Sequence, residues 1–198
     1  MSTPYSCRSI TVYCSSSNHV HPSYLEMARL MGRLISENGF TLVYGGGKVG
    51  LMGELSAGAR EAGGKVLGVI LRKFQDLGVG DPEVREMIAY EDMRSRKRGL
   101  EEAGDAYIAL PGGFGTFEEV TEMLSFKQLG FHNKPIVIVN ANDYFGDLIR
   151  QFERGFAESF IEKRFTSLYH VVANPQEAIT VIKDYQPPNL ELKYRWPF

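Results

Sequence analysis

The sequence holds only two cysteines, Cys7 and Cys14, among 198 residues. That is too few for a disulfide framework and fits a reducing cytoplasm. No apolar run approaches the ~20 residues that span a bilayer, and MSTPYSCRSITVYC lacks a basic leader followed by a long apolar stretch, so no membrane partner or secretion is expected. An excess of one charge is missing too. The formal net charge of -2 offers no long-range attraction to a polyanion, which argues against a nucleic-acid partner. His19 and His21 form an isolated pair without a third ligand nearby, so no metal site is expected. Lys48 lacks the spacing and the following Ser or Thr of a Walker A loop. Internal repeats and low-complexity tracts are also absent.

What the chain has is hydrophobic residues, 43% of the total, enough for one sizeable core. They fall in short β-branched runs at 9–14, 40–45, 65–71, 86–91, 106–112, 134–140 and 168–174, several apolar at nearly every position. Continuous apolarity means burial on both faces, which a parallel sheet covered by helices provides. Helical segments lie between the runs at 22–38, 51–62, 94–103, 117–129, 143–156 and 176–185. In the first, Leu25, Ala28, Leu30, Met31, Leu34 and Ile35 form a stripe ahead of Gly39, which suits a C-cap. The alternation predicts an α/β fold, a Rossmann-like, doubly wound, mostly parallel sheet of about seven strands with helices on both faces. A single domain over 1–198 is expected, with its core at about 8–184 and an extended tail at 186–198.

Ligands of such sheets bind beyond the carboxyl ends of the strands. Three loops stand out there: Ser15 to Asn18, Gly45 to Gly50 (GGGKVG) and Pro111 to Thr116 (PGGFGT). Each glycine cluster follows a strand and opens a helix, so backbone amides and the positive end of a helix dipole can receive an anion. The same glycines can instead serve tight turns with positive φ. Gly45, Gly47 and Gly50 fit the dinucleotide spacing, but they follow the second strand, and Leu71-Arg72-Lys73 stands where the acidic partner belongs. Ser15 to Ser17 have no histidine or acid placed by sequence to activate them as nucleophiles.

Glu118, Glu119 and Glu122 follow the PGGFGT loop. Thr116-x-x-Glu119 matches a capping box, which on spacing alone explains Glu119 without chemistry. Met93 to Arg98 (MRSRKR) opens another helix, where the dipole disfavours cations and either an anionic partner or solvent must compensate. The segment 117–129 carries Val120, Met123, Leu124 and Phe126 on more than one face, which predicts burial against a second subunit as well as the sheet.

PGGFGTFEE (111–119) resembles the PGGxGTxxE motif of the LONELY GUY family, the cytokinin riboside 5′-monophosphate phosphoribohydrolases, and MRSRK (93–97) resembles its MHxRK motif. GGGKVGLMG, the CSSS loop and KQLGFHNKPIVIVN are similar to family segments, so the resemblance spans about 8–184. It implies hydrolysis of an N6-substituted adenosine 5′-monophosphate to free base and ribose 5-phosphate, without metal or redox cofactor, by a homodimer or larger oligomer. The implied catalytic pair is Arg96 and Glu119. The implied phosphate loop is Gly112, Gly113, Phe114, Gly115 and Thr116, with Lys97, Glu118, Met93, Ser15, Gly46 and Gly47 as further candidates for substrate contact. Members are often labelled lysine decarboxylases, yet nothing in this sequence indicates a pyridoxal phosphate site. Arg94 replaces the motif histidine and Leu71 stands where many members have proline. Two alternative functions remain open, an AMP nucleosidase acting on unmodified AMP and a non-catalytic carrier of a nucleotide or molybdenum cofactor.

Overall fold

The structure, a computed structural model, describes residues 5–188. The expected tail lies outside the described residues from 189 onward. Strands β1 (Ser9–Tyr13), β2 (Thr41–Tyr44), β3 (Val66–Leu71), β4 (Glu86–Tyr90), β5 (Ala106–Ala109), β6 (Ile136–Val139) and β7 (His170–Val172) form one sheet in the order β4-β3-β2-β1-β5-β6-β7. Every pairing is parallel. The order reverses between β1 and β5, and a crevice for ligand opens at the carboxyl ends of strands at such a reversal.

The helices are α1 (Pro22–Glu37), α2 (Gly50–Glu61), α3 (Arg72–Asp76), α4 (Met93–Ala103), α5 (Phe114–Leu129), α6 (Gly146–Ala157) and α7 (Pro175–Lys183). Successive strand residues feed two cores, as the pleat requires. Ile10, Val12, Leu42, Ile108 and Val137 pack with side chains of α1, α2 and α7. Tyr13, Val43, Tyr107, Ala109 and Ile138 pack with those of α4 and α5. Two-sided burial holds for β5 and β6 at every position. It does not hold for β4, an edge strand with only one neighbour, whose residues are half-buried or exposed.

Local chemistry sets the helix starts. The Nδ1 of His21 accepts the Ser23 amide and Pro22 takes the first helical position, so this histidine is an N-cap. Asp92 caps α4 by accepting from the amides of Arg94 and Ser95. Two expectations fail here. The segment after β3 contains a short helix, α3, which the sequence pattern did not announce. And α5 begins at Phe114 with Gly113 as its N-cap and no side-chain cap, so Thr116 and Glu119 both lie inside the helix and form no capping box.

Helices α1 and α2 approach so closely that a β-carbon on Gly32 would lie 1.9 Å from the Leu55 carbonyl oxygen, and one on Gly58 2.0 Å from that of Arg29. Neither backbone oxygen can yield without moving its helix. An alanine normally gains up to about 1 kcal/mol over glycine inside a helix, whereas overpacking costs about 1–3 kcal/mol. Overpacking wins at this seam. Gly58→Ala is therefore expected to lower the unfolding free energy by about 1–2 kcal/mol, measured as a shift of the urea midpoint.

Candidate active site

The three strand-end loops converge on the crevice and are tied together. Ser15 donates its amide to the Pro111 carbonyl at 3.2 Å, and Met52 donates to the Ser15 carbonyl at 3.2 Å. The Gly50 amide donates to Asn18 Oδ1 at 2.7 Å. A fourth segment closes the rim. Lys48 donates to the Val79 carbonyl, Asp81 donates to the Gly46 carbonyl, and Gly47 and Gly80 form an antiparallel bridge. Together these segments enclose a cavity of about 480 Å³ whose wall includes Ser15, Gly47, Arg96, Gly113, Gly115 and Glu119.

The two kinds of glycine in these loops can now be separated. Gly46 and Gly50 have φ of 75 and 63, and a β-carbon on Gly50 would fall 2.5 Å from the Ser16 carbonyl carbon. Turn geometry and close approach account for both. Gly113 and Gly115 have no such reason. Neither has positive φ, and a β-carbon on either would meet nothing within 4 Å. Both line the cavity. Their missing side chains leave room for something outside the chain, beside the first-turn amides of α5, which have no intrahelical acceptor.

Arg96 and Glu119 meet in the lining of this space. Arg96 Nη1 donates to Glu119 Oε1 at 2.7 Å, and Arg96 Nε donates to the Val69 carbonyl at 3.1 Å. Their side chains are only 12% and 11% exposed. Gly45 makes the arginine's position possible, because a β-carbon there would lie 2.7 Å from Arg96 Nη2. Burial pushes the Glu119 carboxyl above the ordinary glutamate range, and the Arg96 charge and hydrogen bond pull it partly back.

Of the cations at the start of α4, Arg96 and Lys97 find anionic partners. Lys97 Nζ bonds Glu118 and, at 2.9 Å, Glu122. Glu118 and Glu122 lie one turn apart and share that lysine, while Glu119, rotated by about 100°, faces the cavity.

The structure thus brings Arg96, Glu119, Ser15, Gly47, Met93, Gly113, Gly115 and Thr116 to one cavity wall. Gly46 sits behind it in a turn. Phe114 is 92% exposed. Gly112 packs under Thr116, whose Oγ1 would lie 2.0 Å from its β-carbon. Lys97 and Glu118 are bound to each other away from the cavity. Sequence reasoning missed Met52, Ile70, Phe74 and Val79, which give one wall an apolar surface. Phe74 and Val79 follow β3 in a stretch with neither helical nor strand periodicity, so only their apolarity in a strand-end loop could have signalled them.

A family described as possible lysine decarboxylase matches residues 52–182. The cytokinin riboside 5′-monophosphate phosphoribohydrolase of Rhodococcoides fascians is 40% identical over 181 residues, covering 89% of each chain. A phosphoribohydrolase of the same name from Arabidopsis thaliana is 36% identical over 178 residues, 90% of this chain and 82% of its own. The chain belongs to the LONELY GUY family. Among solved structures, the molybdenum cofactor binding protein of Rippkaea orientalis superposes with a TM-score of 0.69 at 24% identity, covering 89% of this chain and 96% of its own. That likeness shows the shared fold.

The Arg96–Glu119 contact makes a titration prediction for this LONELY GUY site. The Glu119 carboxyl should titrate above the ordinary glutamate range, and higher still in Arg96→Gln, where the cation that lowers it is gone. Carboxyl carbon chemical shifts followed against pH report both midpoints. Because the folded value is raised, this group favours folding at acid pH, and that contribution is lost as pH rises through the folded midpoint.

Proposed function

We propose that the protein is a phosphoribohydrolase that cleaves the N-glycosidic bond of an adenosine 5′-monophosphate, N6-substituted in the preferred substrate. The observation that carries this reading is the buried, hydrogen-bonded Arg96–Glu119 pair in the lining of a cavity that is also lined by two glycines with no conformational need to be glycine. The relatives named above, at 36–40% identity over most of their length, support it.

In this reading the phosphate sits on the amides of Gly113, Gly115 and Thr116 at the positive end of α5. The base lies along Met52, Ile70, Phe74, Val79 and Met93. Breaking the bond between the anomeric carbon and the base nitrogen builds positive charge on the sugar and negative charge on the base. Glu119, ionised, stabilises the oxocarbenium and orients the attacking water. Water supplies hydroxyl to the anomeric carbon and a proton to the base, releasing ribose 5-phosphate and free base. Arg96 holds the carboxylate and acts as a fixed cation, since a guanidinium with pKa above about 12 does not serve as a proton source.

The protein works without a nucleic acid or a membrane in this proposal, and no helix of the described residues is long and apolar enough to cross one. A homodimer is part of the proposal. Leu124 of α5, with Phe152, Phe156 and Ile161, lines an apolar groove of about 140 Å³ that a second copy would cover. Light scattering should then report twice the 22.2 kDa chain mass.

Incubation with N6-isopentenyl-AMP and with AMP, followed by chromatography, should release base from both and faster from the first. Faster release from AMP would make the protein an AMP nucleosidase, and binding without release would make it a carrier. Glu119→Gln should keep AMP affinity within about threefold and cut turnover by at least about 100-fold. Gly115→Ala should leave the unfolding midpoint unchanged or raised yet weaken AMP binding about tenfold or more, by placing a methyl where the phosphate belongs.

A further inference from the structure

Tyr144 lies outside the cavity, in the turn between β6 and α6, and its hydroxyl donates to the Gly112 carbonyl at 2.6 Å. The turn that presents it is strained. Asn142 and Asp143 both adopt left-handed backbone, with φ of 53 and 56, a conformation these two residue types tolerate better than others. Asn140 clamps the turn, accepting the Phe145 amide at 2.7 Å and donating to Asp143 Oδ1 at 3.0 Å. Tyr144 itself is 41% exposed and packs at steep ring angles against Tyr24 and Phe145. The turn seats the neighbouring Phe145 in the core, but core packing gives no reason for the half-exposed Tyr144 to spend its hydroxyl on one carbonyl.

The carbonyl in question belongs to the peptide that joins Gly112 to Gly113. In a planar trans peptide the C=O and the following N–H point in opposite directions. With glycine on both sides, no β-carbon fixes the orientation of that unit. A hydrogen bond that fixes the Gly112 oxygen toward Tyr144 therefore also fixes the Gly113 N–H away from it. That amide donates to no acceptor among the described residues, and Gly113 lines the main cavity. Were the peptide to turn over, a carbonyl oxygen would confront the anion instead.

We propose that Tyr144 is a positioning residue: by holding the Gly112–Gly113 peptide in one orientation, it presets the Gly113 amide to receive the substrate's 5′-phosphate. The proposal rests on the nucleotide reading above and names a residue that acts only through the phosphate loop. Its signature is selective for the phosphate, because Tyr144 touches neither the sugar nor the base in that reading.

The test compares AMP with adenosine, which lacks the phosphate, by isothermal titration to wild type, Tyr144→Phe and Tyr144→Met. The Met variant retains an apolar side chain of similar reach should the Phe variant fail to fold. The expected result is an AMP-to-adenosine affinity ratio about tenfold lower in the variants, with adenosine affinity and the thermal midpoint unchanged. In turnover, KM for the nucleotide should rise about tenfold while kcat stays within twofold. An unchanged ratio, or equal losses for both ligands, overturns the proposal. A wild-type ratio near one sinks the nucleotide reading and this inference together. A high wild-type ratio that the variants preserve sinks only the role of Tyr144.

Discussion

The candidate site depends on one hydrogen-bonded ion pair, Arg96 to Glu119, held with little solvent between two helices that leave the sheet on the same side. Taking both charges out of water costs several kcal/mol per ion, and their attraction roughly offsets that without a clear surplus. Such a pair is a weak stabiliser. A core built for stability alone would place apolar side chains at these positions. Removing only one partner is a different matter, since the other charge is then left buried and unmatched. The neighbouring Lys97, shared by Glu118 and Glu122, fastens α4 to α5 with more exposed charges and so frees Glu119 to face the cavity.

The surroundings of Glu119 set the balance of its charge. Burial alone would keep the carboxyl protonated over a wider pH range, and the guanidinium counters that tendency. The result is an acid whose charge is maintained by one neighbour while its second oxygen takes no hydrogen bond from the described residues. In the proposed reaction, stabilising a developing cation asks for that combination: fixed negative charge, low local polarity and an open approach.

The fold was legible in the sequence because the runs at 40–45, 106–112 and 134–140 are apolar on consecutive positions, a pattern that few arrangements other than a covered parallel sheet can satisfy. Arg96 and Glu119 were legible only through motif resemblance. Spacing alone favoured a capping box, and it erred because local pattern cannot foresee that α5 starts at Phe114, with Gly113 rather than Thr116 as its cap. The carboxylates that engage Lys97 come from a different helix, and such pairing, set by tertiary distance, is not legible in local spacing. The two roles of glycine were inseparable in sequence too. Only the space around each residue shows that Gly50 is required by a turn while Gly113 is not.

The segment after α3 is fastened at Val79 and Asp81 through main-chain bonds to the GGGKVG loop, with the Asp81 carboxylate further pinned by Ser56 at 2.7 Å. Phe74 and Val79 reach the cavity from this frame without their side chains helping to hold it. Position and identity are thereby decoupled at this apolar wall. Replacing either side chain alters the shape and polarity of that surface while the scaffold stays put, so ligand preference can drift among relatives without disturbing the charged pair opposite.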